Sequence, residues 1–288
     1  MGFLFAAIGA VLFSLVDVGR KVVLKKSNTY ISIWGIFLCS LPLLFIFLII
    51  DGIPSVDWVF WPLAVFMAIL ICFGEIYFYK AIKLSDLSDC IPFMAFTPAF
   101  LIFTSWIILG QLPNFWGLMA IIIIIFGAWI HGLDHERKGI LAPLKSMFRN
   151  KGAMYILIID LIWSITGPIA KIAIDNSSEV FFTTIFIFIL ALIFTGIVLI
   201  RFRDKIKEQF AKHLWKFFLI GNLWGLAALL EMMAMALILV PYVGAIKQTR
   251  SLYSTILGKV LFKEKHLKPR LIGAAVMVIG AVIIVVLG

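Results

Sequence analysis

Apolar runs of about 20 residues recur from one end of this 288-residue chain to the other, and that recurrence limits the fold more than any other feature. In hydrocarbon every backbone N–H and C=O must find a partner inside the protein, so a run of this length that crosses a bilayer does so as a helix. Ten spans are read: 2–20, 30–50, 59–80, 88–109, 115–131, 152–172, 179–200, 214–238, 241–262 and 270–287. Chain punctuation falls between them, at Asp51-Gly52-Ile53-Pro54, at Gly110 and Pro113, and at Pro241. A membrane barrel would instead alternate over about ten residues, and no such alternation is present. Hydrophobic residues make up 63% and charged residues 14%, against roughly half and a quarter in soluble chains. The mean hydropathy is +1.12. The expectation is an all-α integral membrane protein of ten transmembrane helices.

The net charge of +10 would suit a nucleic-acid partner only if it were gathered on a soluble module, and it is not. The loops that follow odd-numbered spans, with the span ends adjoining them, hold every Lys and Arg except Lys171, Lys247 and Arg250; Arg20 and Lys21 are counted in the first loop. By the positive-inside rule these loops are cytoplasmic, which puts both termini outside a cytoplasmic (inner or plasma) membrane. The first charges follow the first apolar run, so that run is expected to be a retained span. Cys39, Cys72 and Cys90 suggest neither a disulfide framework nor a metal site. His131 and His135 flank Asp134 with metal-ligand spacing but have no third ligand near them. Residues 138–152, KGILAPLKSMFRNKG, read either as an amphipathic segment on the membrane surface or as a plain basic linker. No nucleophile–base pair, nucleotide fingerprint or other cofactor motif occurs, so neither an enzyme nor a cofactor is expected. A channel filter is equally absent from the sequence.

The chain also matches itself. Phe13-Ser14-Leu15 corresponds to Trp163-Ser164-Ile165, Lys21 to Lys171 and Ser27 to Ser177 at one offset; Glu75 corresponds to Glu231 and Gly117 to Gly273 at another. Five spans per half is an odd number, so the second half must be inverted relative to the first. Repeats are read at 1–132 and 152–288, joined by a cytoplasmic linker at 133–151. Inverted repeats favour a substrate site near the midplane and alternating access.

Trp163-Ser164 at the start of the second repeat, LFKEKHLKPRLIGAAVMVIG at 261–280, FMAFTPAFLIFTSWIILGQ at 93–111 and Gly117 together give the chain a specific likeness. It resembles EamA-type members of the drug/metabolite transporter superfamily over nearly its whole length. Gly110-Gln111 departs from the acidic pair that ends the fourth helix in that family, whereas Lys263-Glu264 keeps an acidic residue. The resemblance implies a ten-helix secondary carrier of a small organic metabolite.

Charged and polar residues inside the spans are expensive in lipid and so mark candidate function. Lys247 and Arg250, at i, i+3, are predicted on one face of the ninth span, with Tyr253 a turn further on. Glu231 lies roughly 12 Å and Arg250 roughly 13 Å from the same surface at 1.5 Å per residue. Two readings therefore stay open. The cations either pair with Glu231 or hold a carboxylate or phosphate of the substrate, for which Arg offers a fork. Glu75 and Asp160 are candidates for proton coupling, because a desolvated carboxylate can exchange its proton near neutral pH. Asp160, Ser164, Gly167 and Lys171 form a stripe on the sixth span, mirrored by Ser14, Asp17 and Lys21 on the first. Gly221, Trp224, Ala228 and Glu231 form a face expected to leave ligand room. Trp163, Trp224, Tyr77 and Tyr253 are candidate cavity aromatics or packing residues.

The expected activity is secondary transport of a small anionic or zwitterionic metabolite, proton- or exchange-coupled. The alternatives are proton-driven export of cationic or amphipathic compounds, and flipping of a lipid-linked phosphosugar. The expected partners are the metabolite and the bilayer, without nucleic acid, and the expected state is a monomer or weak homodimer.

Overall fold

Polar caps and positive-φ glycines close several of the apolar runs and help to set the element boundaries. The computed structural model describes residues 1–24, 27–84, 94, 96–131, 151–250, 252–254, 257 and 268–288. Among these residues the elements are all helical: α1 (Gly2–Leu24), α2 (Thr29–Asp51), α3 (Phe60–Leu84), α4 (Phe96–Leu109), α5 (Phe115–His131), α6 (Lys151–Asp175), α7 (Glu179–Arg201), α8 (Arg203–Leu237), α9 (Val240–Lys247) and α10 (Lys268–Leu287). Asn28 caps α2 by accepting from the Tyr30 N–H at 2.9 Å, and Ser178 caps α7 by accepting from Phe181 at 3.2 Å. Asn114 accepts from the Gly117 N–H at 2.7 Å at the start of α5. Gly52 and Gly110 end α2 and α4 at φ of 85° and 66°, a region that favours glycine. Among the described residues six helices are long and apolar enough to cross a membrane: α1, α2, α3, α6, α7 and α8; α4, α5 and α10 contribute shorter apolar stretches. Asp134 and His135 of the metal-spacing group, nearly all of the 138–152 segment, the start of the fourth span and the end of the ninth lie outside the described residues.

The helices form two compact units, each assembled from both sequence halves. The first comprises Met1–Ile76 with Ile169–Leu237, the second Tyr77–Pro168 with Ile238–Gly288. In the first, α8 packs on α1 and α2, and α2 on α7. A Cβ added at Gly221 would lie 2.6 Å from the Ile36 carbonyl oxygen, so this glycine is what lets α8 approach α2. In the second, α5 packs on α10 and α4 on α9. There a Cβ at Gly127 would meet the Gly273 carbonyl oxygen at 2.7 Å. Asn114 Nδ2 donates to the Leu287 carbonyl at 2.9 Å, tying the start of α5 to the end of α10.

Two helices differ from the predicted spans. The eighth was expected over 214–238, with 203–213 in a loop, but α8 is a continuous helix of 35 residues. At 1.5 Å per residue it is about 52 Å long, well beyond a hydrocarbon core of about 30 Å. Its first turns are held in helical form by aromatic packing: the Phe210 ring centroid lies 4.8 Å from Trp34 and 5.6 Å from Phe217. The ninth span was expected as one helix, but its regular winding stops at Lys247. The N–H groups of Gln248, Thr249 and Leu252 donate three residues back, to Ala245, Ile246 and Thr249, at 3.1, 2.9 and 3.0 Å.

Candidate functional site

The second unit gathers most of the polar residues singled out in the sequence. α6 carries Asp160, Trp163 and Ser164; α4 carries Thr97 and Thr104; the end of α9 and the turn after it carry Lys247 and Arg250. Asp160 has no exposed surface. Its Oδ1 accepts from the Thr97 hydroxyl at 2.6 Å, while its Oδ2 has no hydrogen-bond partner among the described residues. One turn further along α6, the Trp163 ring receives both cations: Lys247 Nζ and Arg250 Cζ each lie 5.4 Å from its centroid. The tightened turn at Gln248 explains why one ring serves both. In i→i+3 winding, side chains three residues apart stack directly above one another, rather than being offset as in an α-helix.

Arg250 is only 5% exposed. It donates to the Met94 thioether sulfur at 3.5 Å, a weak acceptor. Among the described residues of its unit no carboxylate lies within ion-pair distance of it; Asp160 acts on it electrostatically from further away. The guanidinium is therefore desolvated and stabilised by an aromatic face and a sulfur. A cation–π contact of this kind supplies about 0.5–2 kcal/mol, less than a buried carboxylate would. Ser254, one turn beyond Arg250, is buried with its hydroxyl unpartnered among the described residues. Tyr253 is half-buried. Tyr77 stacks obliquely on Tyr155 at 5.1 Å and lies under Lys80 Nζ at 5.5 Å.

Ser164 is positioned by a proline. Pro168 has no N–H, so the α6 ladder leaves the Ser164 carbonyl without its usual donor. The Thr104 hydroxyl fills that place at 2.6 Å, and the Ser164 hydroxyl turns back to the Leu161 carbonyl at 2.8 Å. The stripe Asp160, Ser164, Gly167 is buried throughout, as the 4-3 spacing predicts; Lys171, at its end, pairs with Asp175 at 2.5 Å.

The first unit holds Glu75, Glu231, Trp224 and Ser14. Glu75 is 4% exposed and accepts from Arg20 Nη2 at 3.2 Å; Arg20 Nη1 also lies 3.9 Å from Asp17. Arg20 was counted among the loop cations. It is instead inside α1 and buried, because α1 runs on to Leu24. Ser14 donates to its own helix, to the Val11 carbonyl at 2.6 Å. Trp224 meets Phe37 edge-on at 4.8 Å. Around Gly221 and Trp224 the face expected to leave ligand room is filled by α2, and Glu231, two helix turns further on, is half-buried.

Thr97, Met94, Thr104 and Arg20 escaped the sequence reading. Thr104 could have been sought as the donor that a mid-helix proline demands, and Arg20 by noting that about 20 residues from Gly2 still lie in a span. Nothing in the sequence marks Thr97 or Met94. Among the described residues no group of three His, Cys, Asp or Glu could hold a metal ion.

An all-helical chain of long apolar segments with buried, partly unsatisfied charges has the character of a membrane transporter, and comparison with known proteins gives the class. The profile of the EamA-like transporter family matches residues 1–133 and 150–286, and the chain belongs to that family, a membrane transporter of the drug/metabolite transporter superfamily. A solved chain described only as "Crystal structure of protein" superposes with a TM-score of 0.75 at 11% identity, covering 100% of this chain and 99% of the other, which shows a shared fold. The curated proteins yield no match.

Proposed function

We propose that the chain is a secondary carrier that moves a small anionic or zwitterionic metabolite by alternating access, with proton or exchange coupling. The observation that carries this reading is Arg250, a buried guanidinium with a thioether and an indole face for partners. A substrate carboxylate or phosphate would accept two parallel N–H bonds from it, in a site where water competes little. Lys247, over the same Trp163 ring, adds a second positive charge. Asp160 is the proposed coupling carboxylate of this unit, since its buried Oδ2 has no hydrogen-bond partner among the described residues. Glu75 serves as a second candidate, restrained by Arg20. The cation distribution supports placing both termini outside; a monomer or weak homodimer is the proposed state.

The test is a thermal-shift screen of purified protein against amino acids, phosphosugars, nucleotides and quaternary amines, followed by proteoliposome uptake of any stabilising compound. Anions or zwitterions are expected to stabilise the wild type, and Arg250→Gln to abolish the effect. Stabilisation by quaternary amines alone would overturn the reading.

A further inference from the structure

The first turns of α8 carry a surface that the candidate site does not include. Along the exposed side of this one helix the chemistry changes abruptly. Lys205, Lys207 and Lys212 are exposed on the N-terminal side; Leu214, Trp215, Phe218 and Leu219 are exposed at 48%, 68%, 55% and 47% on the other. Apolar side chains this open belong against lipid, and an exposed Trp at the change marks the interface. Lys212 is thus within one turn of the hydrocarbon boundary and Lys205 about 12 Å from it, a distance that spans the headgroup layer.

The cations are also held in place. Gln209 Oε1 accepts from the Asn28 N–H at 2.8 Å, Phe210 packs between Trp34 and Phe217, and Phe202 stacks on Tyr30 at 5.3 Å. Lys205 and Lys212, seven residues apart, share one face with Lys216; Arg203 and Lys207, four apart, share the opposite one. Residues 201–216 carry six cations against two carboxylates, Asp204 and Glu208. Cations needed only for membrane orientation could sit in a slack loop. These ride on a helix clamped to α2, so little further ordering is required when they bind.

We propose that residues 201–216 form a binding surface for the headgroups of anionic phospholipids, whose acyl chains lie along Leu214, Trp215, Phe218 and Leu219. The cations adjoin an exposed apolar belt on the same helix, which fits a ligand with a phosphate at one end and hydrocarbon at the other. It does not fit a nucleic acid or an acidic peptide.

Native mass spectrometry of the full chain in detergent tests this, titrating phosphatidylglycerol against phosphatidylcholine. The wild type is expected to prefer phosphatidylglycerol by tenfold or more. Each basic residue near an anionic surface contributes about fivefold, so the triple variant Lys205→Gln, Lys207→Gln, Lys212→Gln should lose at least about tenfold on phosphatidylglycerol. Phosphatidylcholine binding should be unchanged, and the corresponding triple Arg variant should keep the preference. Raising salt from about 50 to 500 mM should weaken only the anionic lipid; this arm decides the matter on wild-type protein should the Gln variant fail to fold. Equal binding of the two lipids, an unchanged Gln variant, or displacement of phosphatidylglycerol by equimolar inorganic phosphate or an RNA oligonucleotide would overturn the proposal.

Discussion

Arg20 is the hub of a buried charge group, and removing it should cost more than removing either neighbour. Its guanidinium lies 3.2 Å from Glu75 and 3.9 Å from Asp17, and the side chains of all three are no more than 8% exposed. Arg20→Gln leaves two buried carboxylates without their cation. Breaking one buried pair costs about 3–5 kcal/mol, so the loss should reach at least the upper part of that range. Glu75→Gln leaves Arg20 still facing Asp17 and should cost less, about 2–3 kcal/mol. The double variant Arg20→Met, Glu75→Leu removes the better-paired charges together and should recover much of the loss, because an apolar replacement of a buried pair is often close to neutral. Thermal unfolding of purified protein in detergent provides the assay. The Arg20→Gln midpoint should fall by on the order of 6 °C or more, with the other two variants between it and wild type. If Arg20→Gln unfolded at the wild-type temperature, or the double variant were worse than Arg20→Gln, the hub argument would be wrong.

Thr104→Val should destabilise by about 1–3 kcal/mol by orphaning the Ser164 carbonyl. Adding Pro168→Ala, which restores a backbone donor to that carbonyl, should return part of the loss, and the same unfolding assay reads both. Thr97→Val strips Asp160 of its one hydrogen-bond donor among the described residues. It should change the pH dependence of transport while leaving ligand-induced thermal stabilisation largely intact, since Thr97 touches the carboxylate and not the cations. Trp163→Leu removes the ring beneath both cations, a loss of about 0.5–2 kcal/mol per contact. Its effect on apparent Kd for a stabilising anion should exceed that of Tyr77→Leu, as measured by ligand titration of the thermal shift. Gly127→Val should lower stability by about 1–3 kcal/mol through a clash with the Gly273 carbonyl.

Several features of this protein are dictated by its sequence alone. Twenty-residue apolar runs leave the backbone no option but helix in lipid, and the caps at Asn28, Asn114 and Ser178 follow from elementary donor counting. The EamA likeness was carried by short stretches that survive without any coordinates. The burial of Asp160 and Ser164 was legible too, since 4-3 spacing puts them on one helix face. Other properties depend on contacts between residues far apart in the chain, which periodicity cannot encode. The partners Thr97, Thr104 and Met94 come from a helix some 60 to 156 positions away from the residues they serve. The compact units draw on both halves of the chain, although the sequence reads as two successive repeats. Arg20 looked like a loop cation because it adjoins Lys21, and only the approach of Glu75 from α3 turned it into a buried ion pair. The joint seat of Lys247 and Arg250 on Trp163 required the change of winding at Gln248. Local residue preferences make that stretch an unbroken helix; in the folded chain its winding tightens at Gln248 and Thr249, which no local pattern marks.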